Sequence, residues 1–165
     1  MTVIHSAEFA QEGRELKGSI PLSQLSRLSD LLADTSGEIA WHIESGVDDR
    51  TQRPWLYLEV KGDLQLICQR CLLGMPWSFH NETVLTQFAT EEEIDEAEAF
   101  DEDLDGILID PELDIEALVE DELLLALPVA PVHDVCGGDD ALAKLASKKP
   151  NPFAVLAQLK TRKAE

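Results

Sequence analysis

Residues 38–68, EIAWHIESGVDDRTQRPWLYLEVKGDLQLIC, contain the passage that sets the fold class. Ile39, Trp41 and Ile43 alternate with Ala40, His42 and Glu44, a period of two that belongs to a strand with one face on a core. Gly46 to Arg53 reads as a loop. Trp55 to Val60 is a second strand, and Lys61-Gly62-Asp63 reads as a tight turn into a third, Leu64 to Cys68. Pro76 to Phe88 makes a fourth, with Trp77 and Phe79 on one face. Consecutive strands with short connections predict an antiparallel meander rather than a parallel sheet.

Toward the N-terminus, Leu22, Leu25, Leu28, Leu31 and Leu32 recur at helical spacing, with Ser23, Gln24, Ser26, Arg27 and Asp30 on the other face. That spacing predicts an amphipathic helix over 22–33 whose leucines join the core. Toward the C-terminus, residues 90–106 are so acidic that they read as a mobile loop. Ile107, Leu108 and Ile109 can rejoin the sheet as an edge strand. A helix near 112–127 follows, starting at Asp110-Pro111 or Asp114 and stopped by Pro128, with Ile115, Leu118, Val119 and Leu123 on its apolar side. The expected fold is α+β: a meander of four or five strands packed by one or two helices. Residues 1–138 read as one domain and 139–165 as a basic, helical C-terminal tail.

The 165 residues carry 33 acids against 13 bases, a net charge of −20. The imbalance is local. Residues 91–122 hold 17 acids and no base, whereas residues 144–165 hold six bases and one acid. Such a surface repels polyanions except at the C-terminal end, so contact with nucleic acid is confined to that end or goes through another protein. No run of about 18 apolar residues occurs, so no membrane span is expected, and the start lacks a signal-peptide core. An odd count of three cysteines speaks against a secreted disulfide scaffold. The expectation is a cytoplasmic protein.

Cys68-Gln69-Arg70-Cys71 sits on the bend between the third and fourth strands, and His133 and Cys136 form an H-x-x-C beyond the helix. Two chelating pairs from separate loops are a common way to supply the four soft or borderline donors that Zn²⁺ takes. The same residues also admit plainer readings, as reduced semi-buried thiols beside a loop histidine or as a redox pair. The redox reading lacks the helix N-terminus that lowers a thiol pKa in thioredoxin-like sites. His5, His42 and His80 read as surface or strand histidines. Trp41, Trp55, Trp77 and Phe79 read as packing groups rather than base-stacking platforms.

The tail residues Lys148, Lys149, Phe153, Leu156, Leu159, Lys160, Arg162 and Lys163 combine a narrow apolar edge with a basic end. They and Arg70 are the candidate partner contacts: cations for phosphate, apolar groups for a groove. No P-loop, nucleophile elbow or H-E-x-x-H is present, no pair of carboxylates stands out as acid and base, and no small-molecule site is evident. No enzyme is expected.

Three stretches together resemble the bacterial YceD family of large ribosomal RNA subunit accumulation proteins: Cys68 to Cys71 after an alternating strand, LDIEALVEDELLLALPVAPVH over 113–133, and KPNPFAVLAQLK over 149–160. The likeness runs from about Leu16 to Lys160. It implies a cytoplasmic, non-enzymatic factor of ribosome biogenesis, acting in synthesis, processing or stability of 23S ribosomal RNA. The implied partners are a large-subunit precursor, its RNA, or a basic ribosomal protein. Cys68, Cys71 and Cys136 match the family's cysteine positions, which leaves His133 as the necessary fourth ligand of any metal. The alternative is a metal- or thiol-responsive regulator unrelated to ribosomes, and a nuclease ranks last because only the tail is basic.

Overall fold

The computed structural model describes residues 2–136. In chain order these form β1 (Val3–Ile4), α1 (Ser6–Gln11), β2 (Glu15–Pro21), β3 (Leu32–Asp34), β4 (Glu38–Val47), β5 (Pro54–Ile67) and β6 (Gly74–Phe88). They continue with α2 (Glu91–Glu98), β7 (Asp105–Leu108), β8 (Leu113–Asp114) and α3 (Ile115–Ala126). The expected tail, 139–165, lies outside the described residues.

The fold is α+β, and β5 organises it. One edge of β5 pairs with β6 from Trp55↔Thr86 to Ile67↔Gly74. Its other edge takes β4 along the first half and β3 at the far end, and β2 lies outside β4. All these pairings are antiparallel; β7 joins β6 in parallel as the sixth strand, while β1 and β8 pair separately. Alternation puts Ile39, Trp41, Ile43, Leu56, Leu58 and Val60 on a buried face. That face is covered by Ile115, Val119 and Leu123 of α3, Phe9 of α1 and Leu22, Leu25, Leu28 and Leu32. Asp114 caps α3, its side chain accepting from the Glu116 N–H at 3.0 Å.

Three local expectations need correction. Residues 22–33 are not one helix but two 3₁₀ turns, Leu22–Gln24 and Ser29–Leu31, leading into β3. Leu22, Leu25, Leu28 and Leu32 are buried as expected and Leu31 is exposed, but the backbone finds other partners. Arg27 N–H donates 2.8 Å to the Glu120 carboxylate of α3, and the Ser29 hydroxyl donates to the Ser26 carbonyl. Arg27 Nε also donates to Glu120 at 2.8 Å, and Nη1 to Asp121 at 2.5 Å. A tertiary ion pair therefore displaces the local helix.

Lys61-Gly62-Asp63 is not a turn either. Gly62 pairs with Phe79 within one continuous strand, and a Cβ there would come within 2.5 Å of Ile39 Cδ1. Close approach explains that glycine. Finally, the acidic run that reads as a loop contains α2. Thr90 Oγ1 accepts from the Glu93 N–H and the Glu93 carboxylate accepts from the Ala89 N–H, both at 3.3 Å, and three acids occupy the positive first turn.

Leu58 is buried at the centre of the sheet. Leu58→Ala is expected to lower unfolding stability by roughly 2–5 kcal/mol in urea titration. Val84→Ala, on the exposed face, is expected to change it by less than about 0.5 kcal/mol.

Candidate functional site

The long β5–β6 hairpin carries Cys68 to Leu73 to one end of the sheet. The bend is closed by Cys68 N–H to the Leu73 carbonyl and Leu72 N–H to the Cys68 carbonyl, both 2.9 Å. Leu72 takes φ 60°, a left-handed conformation uncommon for a side chain of its size. On the opposite layer, Pro128 ends α3 and the chain runs extended past the bend, where Gln69 N–H donates 2.8 Å to the Pro131 carbonyl. That bond brings His133 and Cys136 over Cys68 and Cys71.

The four side chains meet. Sγ of Cys68 and Cys136 lie 3.7 Å apart, Cys71 Sγ lies 3.4 Å from His133 Nδ1, and Cys136 Sγ lies 3.9 Å from the same nitrogen. One donor atom from each residue lies within 4.8 Å of all the others. Cys68 and Cys136 are buried, Cys71 and His133 half-buried, and all three cysteines are free thiols. Around them, His133 Nε2 is 3.2 Å from the Gly74 carbonyl. Arg70 Nε donates to Cys136 Sγ at 3.0 Å, and Nη2 donates to the His133 carbonyl at 2.8 Å.

Electrostatics separate the thiols. Burial raises the pKa of Cys68, but N–H groups of Cys71, His133 and Arg70 aimed at its sulfur outweigh it and bring the thiol to about 5. At Cys71 the Leu73 N–H works downward, yet burial and the neighbouring sulfurs of Cys68 and Cys136 hold that thiol above its usual range. One thiolate forms readily and opposes the next, as expected of charges sharing a site.

Of the expected partner contacts, Arg70 is described, and its guanidinium donates to Cys136 and to the His133 carbonyl. Lys148, Lys149, Phe153, Leu156, Leu159, Lys160, Arg162 and Lys163 lie outside the described residues. His42 is more engaged than its sequence context suggests. On the outer sheet face its Nε2 is 3.0 Å from Glu15 and 3.3 Å from Glu44, near enough for charge contact though not aligned as hydrogen bonds. Trp41 and Phe79 are buried in the core, as expected of packing groups.

A second feature escaped the sequence. Between β6, β7 and α3 runs a groove of about 730 Å³ with Leu85, Ile107, Leu118 and Leu124 along its floor. Glu82, Glu98, Asp105, Asp121 and Glu122 border it. The acid run signals the charge, but Glu82 and Leu85 come from a distant strand, so only the fold assembles the groove.

The family described as "Large ribosomal RNA subunit accumulation protein YceD" matches residues 56–160. A curated relative of that name from Haemophilus influenzae is 30% identical, over 93% of this chain and 91% of its own. No solved structure matches.

Removing the Arg70 guanidinium should loosen the 131–136 segment. In Arg70→Ala the Gln69 amide, which donates to Pro131, is expected to exchange hydrogen roughly tenfold faster. The Leu58 amide should be unaffected; unchanged exchange at Gln69 would mean that the arginine braces nothing.

Proposed function

The chain belongs to the YceD family, and from that membership we propose that it supports accumulation of large-subunit (23S) ribosomal RNA as a binding factor without chemistry of its own. The proposed setting is ribosome assembly in the cytoplasm. No helix among the described residues is long and apolar enough to cross a membrane.

The observation that carries the mechanism is the groove between α3 and β6–β7. Its apolar floor suits the side chains of a docked segment, and its five bordering carboxylates favour lysine and arginine on that segment. Phosphate is repelled from the same surface. Asp121 is already paired with Arg27, Glu122 accepts from Asn81 and Thr83, and Glu82 lies 3.5 Å from His80, which leaves Glu98 and Asp105 as the more available acids. The first contact is therefore with a basic ribosomal protein of the precursor particle. Ribosomal RNA is reached through the tail, with Lys148, Lys149, Lys160, Arg162 and Lys163 for phosphate and Phe153, Leu156 and Leu159 for an apolar neighbour. In this reading the thiols belong to a ribosome-linked protein rather than to a regulator unrelated to ribosomes.

Two changes separate these contacts. The pair Glu98→Lys and Asp105→Lys is expected to weaken co-sedimentation with large-subunit precursors on the order of tenfold, with little dependence on RNA digestion. Deletion of 149–165 is expected to remove the RNA-dependent share and its steep salt dependence. Undiminished sedimentation of the charge-reversed chain would exclude the groove.

A further inference from the structure

We infer that Cys68, Cys71, His133 and Cys136 bind one structural Zn²⁺ ion that clips the β5–β6 bend to the segment after α3. The inference stands on the geometry of the four side chains and does not depend on the ribosomal reading.

Distances come first. Zn–S bonds near 2.3 Å and a Zn–N bond near 2.0 Å in a tetrahedron set the donors roughly 3.5–3.8 Å apart. The contacts described above are 3.7, 3.4 and 3.9 Å, and every other pair is within 4.8 Å. Closing on an ion requires side-chain adjustment rather than backbone rearrangement. Donor type comes second. Three sulfurs and an imidazole suit zinc and disfavour magnesium or calcium, which take oxygen. Four protein ligands, two of them buried, complete the shell and leave no position for a reacting water.

The surroundings point the same way. The Gly74 carbonyl, 3.2 Å from His133 Nε2, accepts the proton of that nitrogen and leaves the Nδ1 lone pair facing the sulfurs. Metal-binding histidines are commonly held by such an outer hydrogen bond. Three thiolates around Zn²⁺ carry one net negative charge, and Arg70, 3.0 Å from Cys136 Sγ, supplies the compensating positive charge. The bend is tied to a segment 62 residues further along from Cys71 to His133. A crosslink over that distance removes much of the freedom of the unfolded chain.

The test uses the full chain, made without an affinity tag and kept reduced. Elemental analysis is expected to find about one zinc per chain. Co²⁺ is expected to replace it with the visible bands of a tetrahedral site and sulfur-to-cobalt charge transfer. Removing the metal is expected to lower the melting midpoint by roughly 10 °C. His133→Ala and Cys136→Ser should weaken metal binding more than about a hundredfold, while His80→Ala retains it. Should those variants fail to fold, the cobalt spectrum of the unaltered chain decides. Absence of retained metal, with all three thiols reacting equally fast with and without chelator, overturns the inference. So does iron in place of zinc, or a Cys68–Cys136 disulfide in protein purified without oxidant.

Discussion

The hydrogen bond from Gln69 to the Pro131 carbonyl joins two parts of the chain that nothing local holds together. On one side is the bend of a hairpin whose strands pair without a break from Trp55 to Ile67. On the other is an extended segment released by the end of α3. Neither has an apolar anchor large enough to fix it alone: Leu72, Leu73, Val132 and Val135 point to solvent. What aligns them is polar chemistry, with Arg70 reaching the His133 carbonyl, His133 reaching Gly74, and three sulfurs gathered between. The orientation of this end of the molecule follows from that contact.

The long β5 makes the contact possible. Because β3 and β4 share one of its edges in succession, the strand outlasts either neighbour and carries the bend beyond the main body of the sheet. Helix α3 crosses the buried face of the same strand, so its exit is delivered to the same end. The ion pair of Arg27 with Glu120 and Asp121 anchors the leucine segment to α3. Charge is sorted by the same architecture. Glu82, Glu98, Asp105 and Glu122 gather around a groove that is apolar beneath, whereas six of the 13 basic residues fall within the last 22 positions of the sequence.

Much of this was legible in the sequence, and what was not has physical causes. The period of two at 39–43 and the apolar runs of β5 and β6 identify the sheet because a half-buried strand must alternate. The ligand pairs are legible because chelation demands short spacing, although their meeting across the fold is not. The leucine stripe of 22–32 misleads because side chains three residues apart are buried equally well by 3₁₀ turns, and the donor that settles the matter, the Arg27 N–H, is satisfied by Glu120 from 93 residues away. Gly62 mimics a turn because glycine serves close approach as well as reversal. The helix at 91–98 is obscured by its charge, yet Thr90 and Glu93 were a readable capping pair. Strand β2 is missed because Gly18 interrupts the alternation of Leu16 and Ile20 with Glu15, Lys17 and Ser19, and its pairing with β4 does the rest.

The claim on which the account turns is that the two corners share one metal ion. X-ray absorption at the zinc edge, on the untagged full chain, reads the donor set directly. The account predicts about three sulfurs near 2.3 Å and one nitrogen near 2.0 Å. A shell of oxygen and nitrogen alone, or a zinc signal unchanged when Cys68 and Cys136 are both replaced by serine, would contradict it.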